Sequence, residues 1–272
     1  MNTRAILAIV RKDLKVAVQN KGVLLSMIIL PLILFVAMPW IMAYGPDLAK
    51  STNTSFSNMD QILGRMPAGL VHELSGYTHD QQLIVFILMY MLAPMFLIMP
   101  LMVSSILAAD SFAGEKERKT LEALLYTPTS DRELFTAKLL GSWAAAIAVA
   151  LLSFVIYGVM VNAAAWHSVG HIFFPNWMWI ALVLWVTPAV AGLGLVVMVF
   201  ASARAQGFQD AYQTGGLVVL PVLALMIGQI SGVMYFSLGV VLSVGLVIWL
   251  IDAVLLWFAS KSFRRGELMT KF

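Results

Sequence analysis

The chain has 272 residues, of which 61% are hydrophobic and only 11% are charged, whereas soluble domains carry about 25% charged residues. This composition indicates that lipid is the main solvent of the chain. The absence of cysteine excludes disulfide bonds and thiolate metal sites. We therefore expect one membrane domain over residues 1–272, with no room for a separate soluble enzyme.

The first segment, residues 3–20, has the pattern of an amphipathic helix. One face carries Leu7, Val10, Leu14, Ala17 and Val18, and a basic stripe of Arg4, Arg11 and Lys15 flanks it. A basic amphipathic helix beside a membrane span is expected to lie in the inner interface, where anionic headgroups attract it. The alternative is a plain basic flank that only orients the first span.

Six apolar runs follow, each long enough to cross a membrane. A helix needs about 20 apolar residues to cross a hydrocarbon core of roughly 30 Å. The runs cover approximately residues 23–44, 82–109, 135–163, 177–201, 215–235 and 238–260. Because they are continuous rather than alternating, they exclude a β-barrel. The sequence predicts an all-α integral membrane protein with six transmembrane helices.

The basic residues predict the orientation of these spans. If the N-terminus is cytoplasmic, fifteen of the seventeen lysines and arginines lie on the cytoplasmic side, and only Lys50 and Arg65 lie outside. Cytoplasmic connections are enriched in basic residues. We therefore expect a multi-pass protein of the cell (cytoplasmic) membrane with both termini in the cytoplasm.

The connection between the second and third spans, residues 110–138, is the most charged part of the chain. It holds six acids and five bases. Its apolar stripe, Leu121, Leu124 and Leu125, has Glu117 on the same side at helical spacing. Pro128 would end this helix, and Ser130 to Glu133 has the form of a capping box that starts another. We call residues 115–128 the coupling segment. Its pattern fits either docking to a cytoplasmic partner or a solvated hairpin that returns the chain.

The residues of this connection resemble those of a known family. Residues 113–134 read AGEKERKTLEALLYTPTSDREL, and Lys138 follows. This run is similar to the signature of the type-two ABC exporter permeases, an E-K-E-R-x-T-L-E-x-L-L-x-T-P helix followed by S-R-x-E-L and a lysine. The chain departs from it at Lys119, where glycine is common, and at Asp131. The N-terminal Arg11-Lys12-Asp13-Leu14 and the Phe263–Leu268 tail are also similar to the family.

The resemblance implies a membrane permease subunit of an ATP-driven exporter. Such permeases pair as two six-span halves, identical or different, and each half binds a separate cytoplasmic ATPase subunit that holds ATP and Mg²⁺. The residues that the resemblance assigns to ATPase coupling are Glu115, Glu117, Arg118, Thr120, Leu121, Glu122, Leu124, Leu125 and Pro128. The chain itself is expected to bind no cofactor or metal, to contain no catalytic residue, and to contact membrane lipids but no nucleic acid.

The sequence supports a separate source of ATP hydrolysis. A phosphate-binding P-loop requires a glycine followed by lysine, and no glycine in this chain is followed by lysine. A membrane-embedded hydrolase is also not favoured, because there is no Gly-x-Ser-x-Gly motif.

Asp252 is a single carboxylate inside the sixth span. Because a charge in lipid is costly, we expect it to face the bundle or a watery cavity, where it would line a translocation path or bond a neighbouring helix. The alternative function is a self-sufficient secondary transporter or channel that uses Asp252. Such proteins usually show inverted repeats and several intramembrane charges, which this sequence does not.

Overall fold

The structure, a computed structural model, describes residues 3–19, 21–51, 68–119, 131–231 and 234–262. Every regular element in these ranges is helical. Six of the described helices are long and apolar enough to cross a membrane, which confirms the predicted fold class and number of spans. These spans are Met27–Tyr44, Gln81–Glu117, Glu133–Val169, Trp177–Arg204, Phe208–Ile230 and Leu238–Ala259.

We number the eight helices of the described ranges in chain order. Helix α1 is Thr3–Gln19, α2 joins Lys21–Leu32 to Met38–Ser51, α3 is Ala68–Leu74, α4 extends over residues 79–117, α5 is Asp131–Val169, α6 is 177–204, α7 is 208–230 and α8 is Leu238–Ser262. Because successive spans alternate in direction, the connections fall at two ends of the bundle. The basic end holds α1, the end of α4, the start of α5 and the α6–α7 connection. The far end holds α3, the start of α4 and the α5–α6 and α7–α8 connections.

Three spans contain a π-turn two or three residues before a proline: Ile33–Ala37 before Pro39, Ile87–Met91 before Pro94, and Leu182–Val186 before Pro188. A proline lacks the N–H that would bind the carbonyl four residues earlier. In lipid such a carbonyl needs another donor, which neighbouring helices can supply. The three spans thus accommodate these prolines by a local change of helix type.

The carbonyls of the α4 π-turn have donors from three other helices. Tyr157 of α5 donates its hydroxyl to Leu88 O at 2.5 Å. The Trp179 indole of α6 donates to Met89 O at 2.7 Å, and the Gln229 amide of α7 donates to Tyr90 O at 2.6 Å. These three bonds fix α4 at the centre of the bundle.

Helices α4 and α6 pack closely in the core. A Cβ at Gly194 would lie 2.7 Å from Leu101 O and 2.6 Å from Ser104 Oγ, so only glycine permits this approach. The apolar stretch of α4 is 78% buried, whereas those of α7 and α8 are only 17% buried. Helices α7 and α8 therefore expose apolar side chains that lipid or another helix would cover.

The predicted amphipathic helix is present as α1, with a more divided apolar surface than the sequence indicated. Ile9 is buried against Leu134 and Ala137 of α5. Leu7, on another face, is 71% exposed. One face of α1 therefore packs on the protein, and Leu7 remains exposed on another. Insertion of Leu7 into a membrane interface stays a prediction.

The coupling segment is not one unbroken helix from Glu115 onward, because the helix is interrupted at Lys119. Helix α4 continues through Glu117, and Lys119 then takes a positive φ of 56°. This left-handed conformation is unfavourable for residues with a Cβ and ends a helix. Residues 120–130 lie outside the described residues. The next described helix, α5, begins at Asp131, and the predicted cap at Ser130 stays a prediction.

Candidate functional site

The end of α4 lies at the centre of a charged cluster at the basic end. Lys138 of α5 has no exposed side-chain surface, and its ammonium lies 2.6 Å from Glu115 Oε2. It also donates to Ser111 O at 2.6 Å and to Ser111 Oγ at 3.1 Å. Removing a charge from water is costly unless it is paired and hydrogen-bonded. The three bonds meet that requirement for Lys138.

Helix α1 joins the cluster through Lys12 and Asp13. The Lys12 ammonium bonds Glu115 Oε1 and lies 3.0 Å from Asp13 Oδ1. Asp13 Oδ2 accepts a hydrogen bond from Ser111 Oγ at 2.9 Å. Partial burial acts to lower the Lys12 pKa, but the Glu115 and Asp13 carboxylates outweigh it and raise that pKa above its ordinary value. Lys12 therefore remains charged at neutral pH.

Two residues connect the end of α4 to the α6–α7 connection. Lys116 Nζ donates to Ala205 O at 3.1 Å. Glu117 Oε2 accepts the backbone N–H of Phe208, the first residue of α7, at 2.9 Å. A carboxylate at a helix N-terminus satisfies an unpaired N–H and interacts favourably with the helix dipole. Gly207 permits this approach, because a Cβ there would lie 2.6 Å from Glu117 Oε2.

Arg118 bonds back onto α4. Its guanidinium donates to Asp110 Oδ1 at 2.9 Å and to Asp110 O at 3.3 Å. The buried Asp110 lies in a π-turn, Asp110–Gly114. This pair holds Arg118 at the point where the chain leaves α4.

Residues 115–118 therefore hold four parts of the basic end together. Glu115 bonds α1 and α5, Lys116 and Glu117 bond the α6–α7 connection, and Arg118 bonds the preceding turn of α4. We call these four residues the hub. Because the hub leads directly into residues 119–130, a force on that connection acts on several helices at once.

The structure places three of the predicted coupling residues, Glu115, Glu117 and Arg118, in the hub. Thr120, Leu121, Glu122, Leu124, Leu125 and Pro128 lie outside the described residues. Sequence reasoning did not identify Lys12, Asp13 and Ser111 as parts of this site, and it noted Lys138 only through the family resemblance. No local sequence pattern indicates that these residues meet, because Lys12 and Glu115 are 103 positions apart.

Asp252 is separate from the hub. It is 1% exposed in α8 and faces α6, where a Cβ at Gly192 would lie 2.7 Å from its Oδ2. Neither of its carboxylate oxygens has a hydrogen-bond partner among the described residues. The structure thus confirms that it faces the bundle, and its place in a translocation path stays a prediction.

Two histidines at the far end, His167 and His171, stack on aromatic rings. His167 stacks on Tyr44 at 4.4 Å between ring centroids, and His171 stacks on Tyr77 at 5.6 Å. In the part of the chain that the structure describes, no group of three His, Cys, Asp or Glu residues is placed to hold a metal ion.

A comparison with protein families gives the identity of this fold. The model of the ABC-2 family transporter protein matches residues 7–247, which include most of α1, the hub and the first ten residues of α8. The chain belongs to the ABC-2 transporter family. Comparisons with curated proteins and with solved structures found no match.

Members of the ABC-2 family are membrane permeases of ABC transporters. This permease is accordingly a transport subunit, and its family implies association with an ABC ATPase subunit. The match confirms the resemblance that the residues of the coupling segment indicated, and six helices able to cross a membrane fit a multi-pass membrane protein.

Proposed function

We propose that this permease is one half of an ATP-driven exporter, with its basic end in the cytoplasm and its coupling segment bound to a separate ATPase subunit. The observation that carries the proposal is the hub. Its four residues connect the coupling segment to α1 and α5 through buried or half-buried polar bonds and to α7 through an exposed one. A second six-span half, identical or different, would complete the translocation path.

The distribution of charge supports the orientation. The described residues at the basic end include Lys116, Arg118, Lys119, Lys138 and Arg204, together with the lysines and arginines of α1. Because cytoplasmic connections are rich in these residues, this end belongs inside. A cysteine at position 119 should react with an impermeant reagent only after the membrane is opened, whereas one at position 169 should react in intact cells.

In this mechanism the ATPase moves the coupling segment when it binds and hydrolyses ATP. The hub would pass that movement to α4 and α5 through Glu115 and Lys138, and to α7 through Glu117. Since α4 is bonded to three other helices at its π-turn, its displacement would change the packing of the core. Packed interfaces change between discrete arrangements, so a small shift at the hub can have a large effect.

The test uses the leucine stripe, because Glu117 also caps α7 and its replacement would disturb the fold. Leu124→Asp should weaken ATPase binding by about thirtyfold, the usual effect of losing an interface anchor worth about 2 kcal/mol. Lys119→Gly is the matched control in the same connection and should keep the ATPase. Both variants should elute as single species. Retention of the ATPase by Leu124→Asp would refute the assignment of the coupling segment.

Asp252 supports a second candidate function. A buried carboxylate without a hydrogen-bond partner in the described part of the chain can bind a proton or a cation. A secondary transporter would use this group for ion coupling. Transport by the wild-type chain without any ATPase would favour this function over the exporter.

A further inference from the structure

The far end of the bundle contains an open cavity of about 820 Å³. Its walls come from α3, α4, the start of α6 and the α7–α8 connection. The residues that matter for its chemistry are Glu73, Tyr90, Asn176, Trp177, Tyr235 and Phe236. Drug-sized ligands occupy cavities of about 300–1,000 Å³. The cavity is therefore large enough for an organic molecule.

The described lining of the cavity carries a negative charge. Among the described residues that line it, Glu73 is the only charged one, and none is a lysine, arginine or histidine. Tyr90 donates its hydroxyl to Glu73 Oε2, and Asn176 Nδ2 lies 3.5 Å from the Tyr90 hydroxyl. A carboxylate offers about four acceptor positions. Glu73 can therefore bind a cation while it keeps its bond to Tyr90.

Aromatic rings line the same cavity as this carboxylate. Tyr90, Trp177, Tyr235 and Phe236 all line the cavity, and Trp177 is 78% exposed. The face of an aromatic ring attracts a cation through its quadrupole and also packs against apolar groups. Rings beside a single carboxylate suit a ligand that has a positive charge and an apolar body.

The polar groups of the cavity are held in place by the bundle. Asn176 Oδ1 accepts the backbone N–H of Trp179 at 3.0 Å and so caps α6. Gln229 of α7 donates to Tyr90 O at 2.6 Å. A site whose groups are already positioned loses less entropy when a ligand binds.

We propose that this cavity binds an organic cation with an apolar body, its charge at Glu73 and its body against Trp177 and the neighbouring rings. A hard metal ion takes six or more oxygen ligands, usually with several from the protein, and the described lining offers one carboxylate. The proposal rests on the cavity itself and holds whichever way the permease moves its cargo.

The experiment measures binding of tetraphenylphosphonium to the purified full-length chain in nanodiscs by equilibrium dialysis. Protein-free nanodiscs give the correction for lipid partitioning. Tetraphenylborate, an anion of the same shape, is the matched probe. We expect saturable binding of the cation, one per chain, and no saturable binding of the anion. Equal binding of both probes would overturn the proposal, because shape alone would then decide.

Three variants locate the site. Glu73→Gln should weaken binding of the cation by about tenfold, because it removes the one charge among the described lining residues that attracts the cation. Glu73→Asp keeps the charge and should retain most of the binding. Gly69→Trp leaves Glu73 intact and should block the cavity, because Gly69 lines it and a Cβ there meets open space.

Matched controls lie outside the cavity. Gly76 also has open space around its Cβ but does not line the cavity, so Gly76→Trp should bind the cation as the wild type does. Trp166 is an exposed tryptophan on α5, and Trp166→Ala should have no effect, whereas Trp177→Ala should weaken binding several-fold. Unchanged binding in both Glu73→Gln and Gly69→Trp would refute the site.

Discussion

Lys138 and Glu115 form a buried ion pair, with 2.6 Å between Lys138 Nζ and Glu115 Oε2 and no exposed surface on the lysine side chain. The two residues lie on different spans, on either side of residues 120–130. Glu115 also bonds Lys12 of α1. Through both bonds Glu115 ties α1, α4 and α5 together where the coupling segment begins.

Loss of the lysine should destabilise the fold strongly. Lys138→Met leaves the Glu115 carboxylate buried with less compensation, and breaking such a pair costs about 3–5 kcal/mol. The midpoint of thermal unfolding, measured by size-exclusion chromatography of heated samples, should fall clearly below that of the wild type. The double variant Lys138→Met with Glu115→Gln should recover part of the loss.

Lys12 provides the control for this pair. Its side chain is 40% exposed, and exposed ion pairs contribute about 0–1 kcal/mol. Lys12→Met should therefore lower the midpoint less than Lys138→Met does. Equal midpoints for Lys138→Met and the wild type would show that the buried pair does not hold the basic end together.

Replacing Lys119, whose backbone is left-handed, by glycine should stabilise the fold. A residue with a Cβ at a φ of 56° costs about 1–2 kcal/mol, and glycine avoids this cost. Lys119→Gly should raise the unfolding midpoint, although its flexibility in the unfolded chain offsets part of the gain. Lys119→Ala keeps the Cβ and serves as the control for loss of charge. A lower midpoint for the glycine variant than for the alanine variant would contradict the backbone assignment.

The π-turn of α4 should depend on the Tyr157 hydroxyl. Tyr157→Phe keeps the ring but leaves Leu88 O without its donor, and an unsatisfied buried group costs about 1–3 kcal/mol. Tyr212→Phe is the control, because no hydrogen bond of its hydroxyl is found in the described part of the chain. The first variant should unfold at a lower temperature and the second near the wild-type temperature. Identical midpoints would mean that the carbonyl has another donor.

The role of Asp252 can be tested with substitutions that change its charge or the space around it. If it serves a translocation path, Asp252→Asn should change ATP-driven transport or ATP turnover while expression stays near that of the wild type. Gly192→Ala should act similarly, because a Cβ there would press on the carboxylate at 2.7 Å. Full transport by Asp252→Leu would remove this residue from the mechanism and leave it a packing role.

The sequence predicted the number and type of the spans because the bilayer requires about 20 apolar residues for each crossing. It underestimated the length of some helices. Helix α4 continues to Glu117, and α7 starts at Phe208 rather than near Gly215, because the Glu117 carboxylate caps its first turn. That cap joins residues 91 positions apart and leaves no local pattern.

The hub was only partly predictable for the same reason. Glu115 and Glu117 stood out as charges in an apolar chain, and the sequence suggested that they face a partner. The structure shows that both also bond within the chain. The far-end cavity could not be predicted, since its lining comes from four separate parts of the chain.

The most direct measurement is the composition of the complex that this permease forms in its own membrane. The full-length chain, tagged and purified from native membranes in mild detergent, should bring with it a P-loop ATPase subunit, one per permease chain, and the complex should hydrolyse ATP. Leu124→Asp should elute without that subunit. If the wild-type chain is purified alone from membranes in which it actively transports, the permease does not couple to an ATPase, and a secondary transporter that uses Asp252 becomes the better account.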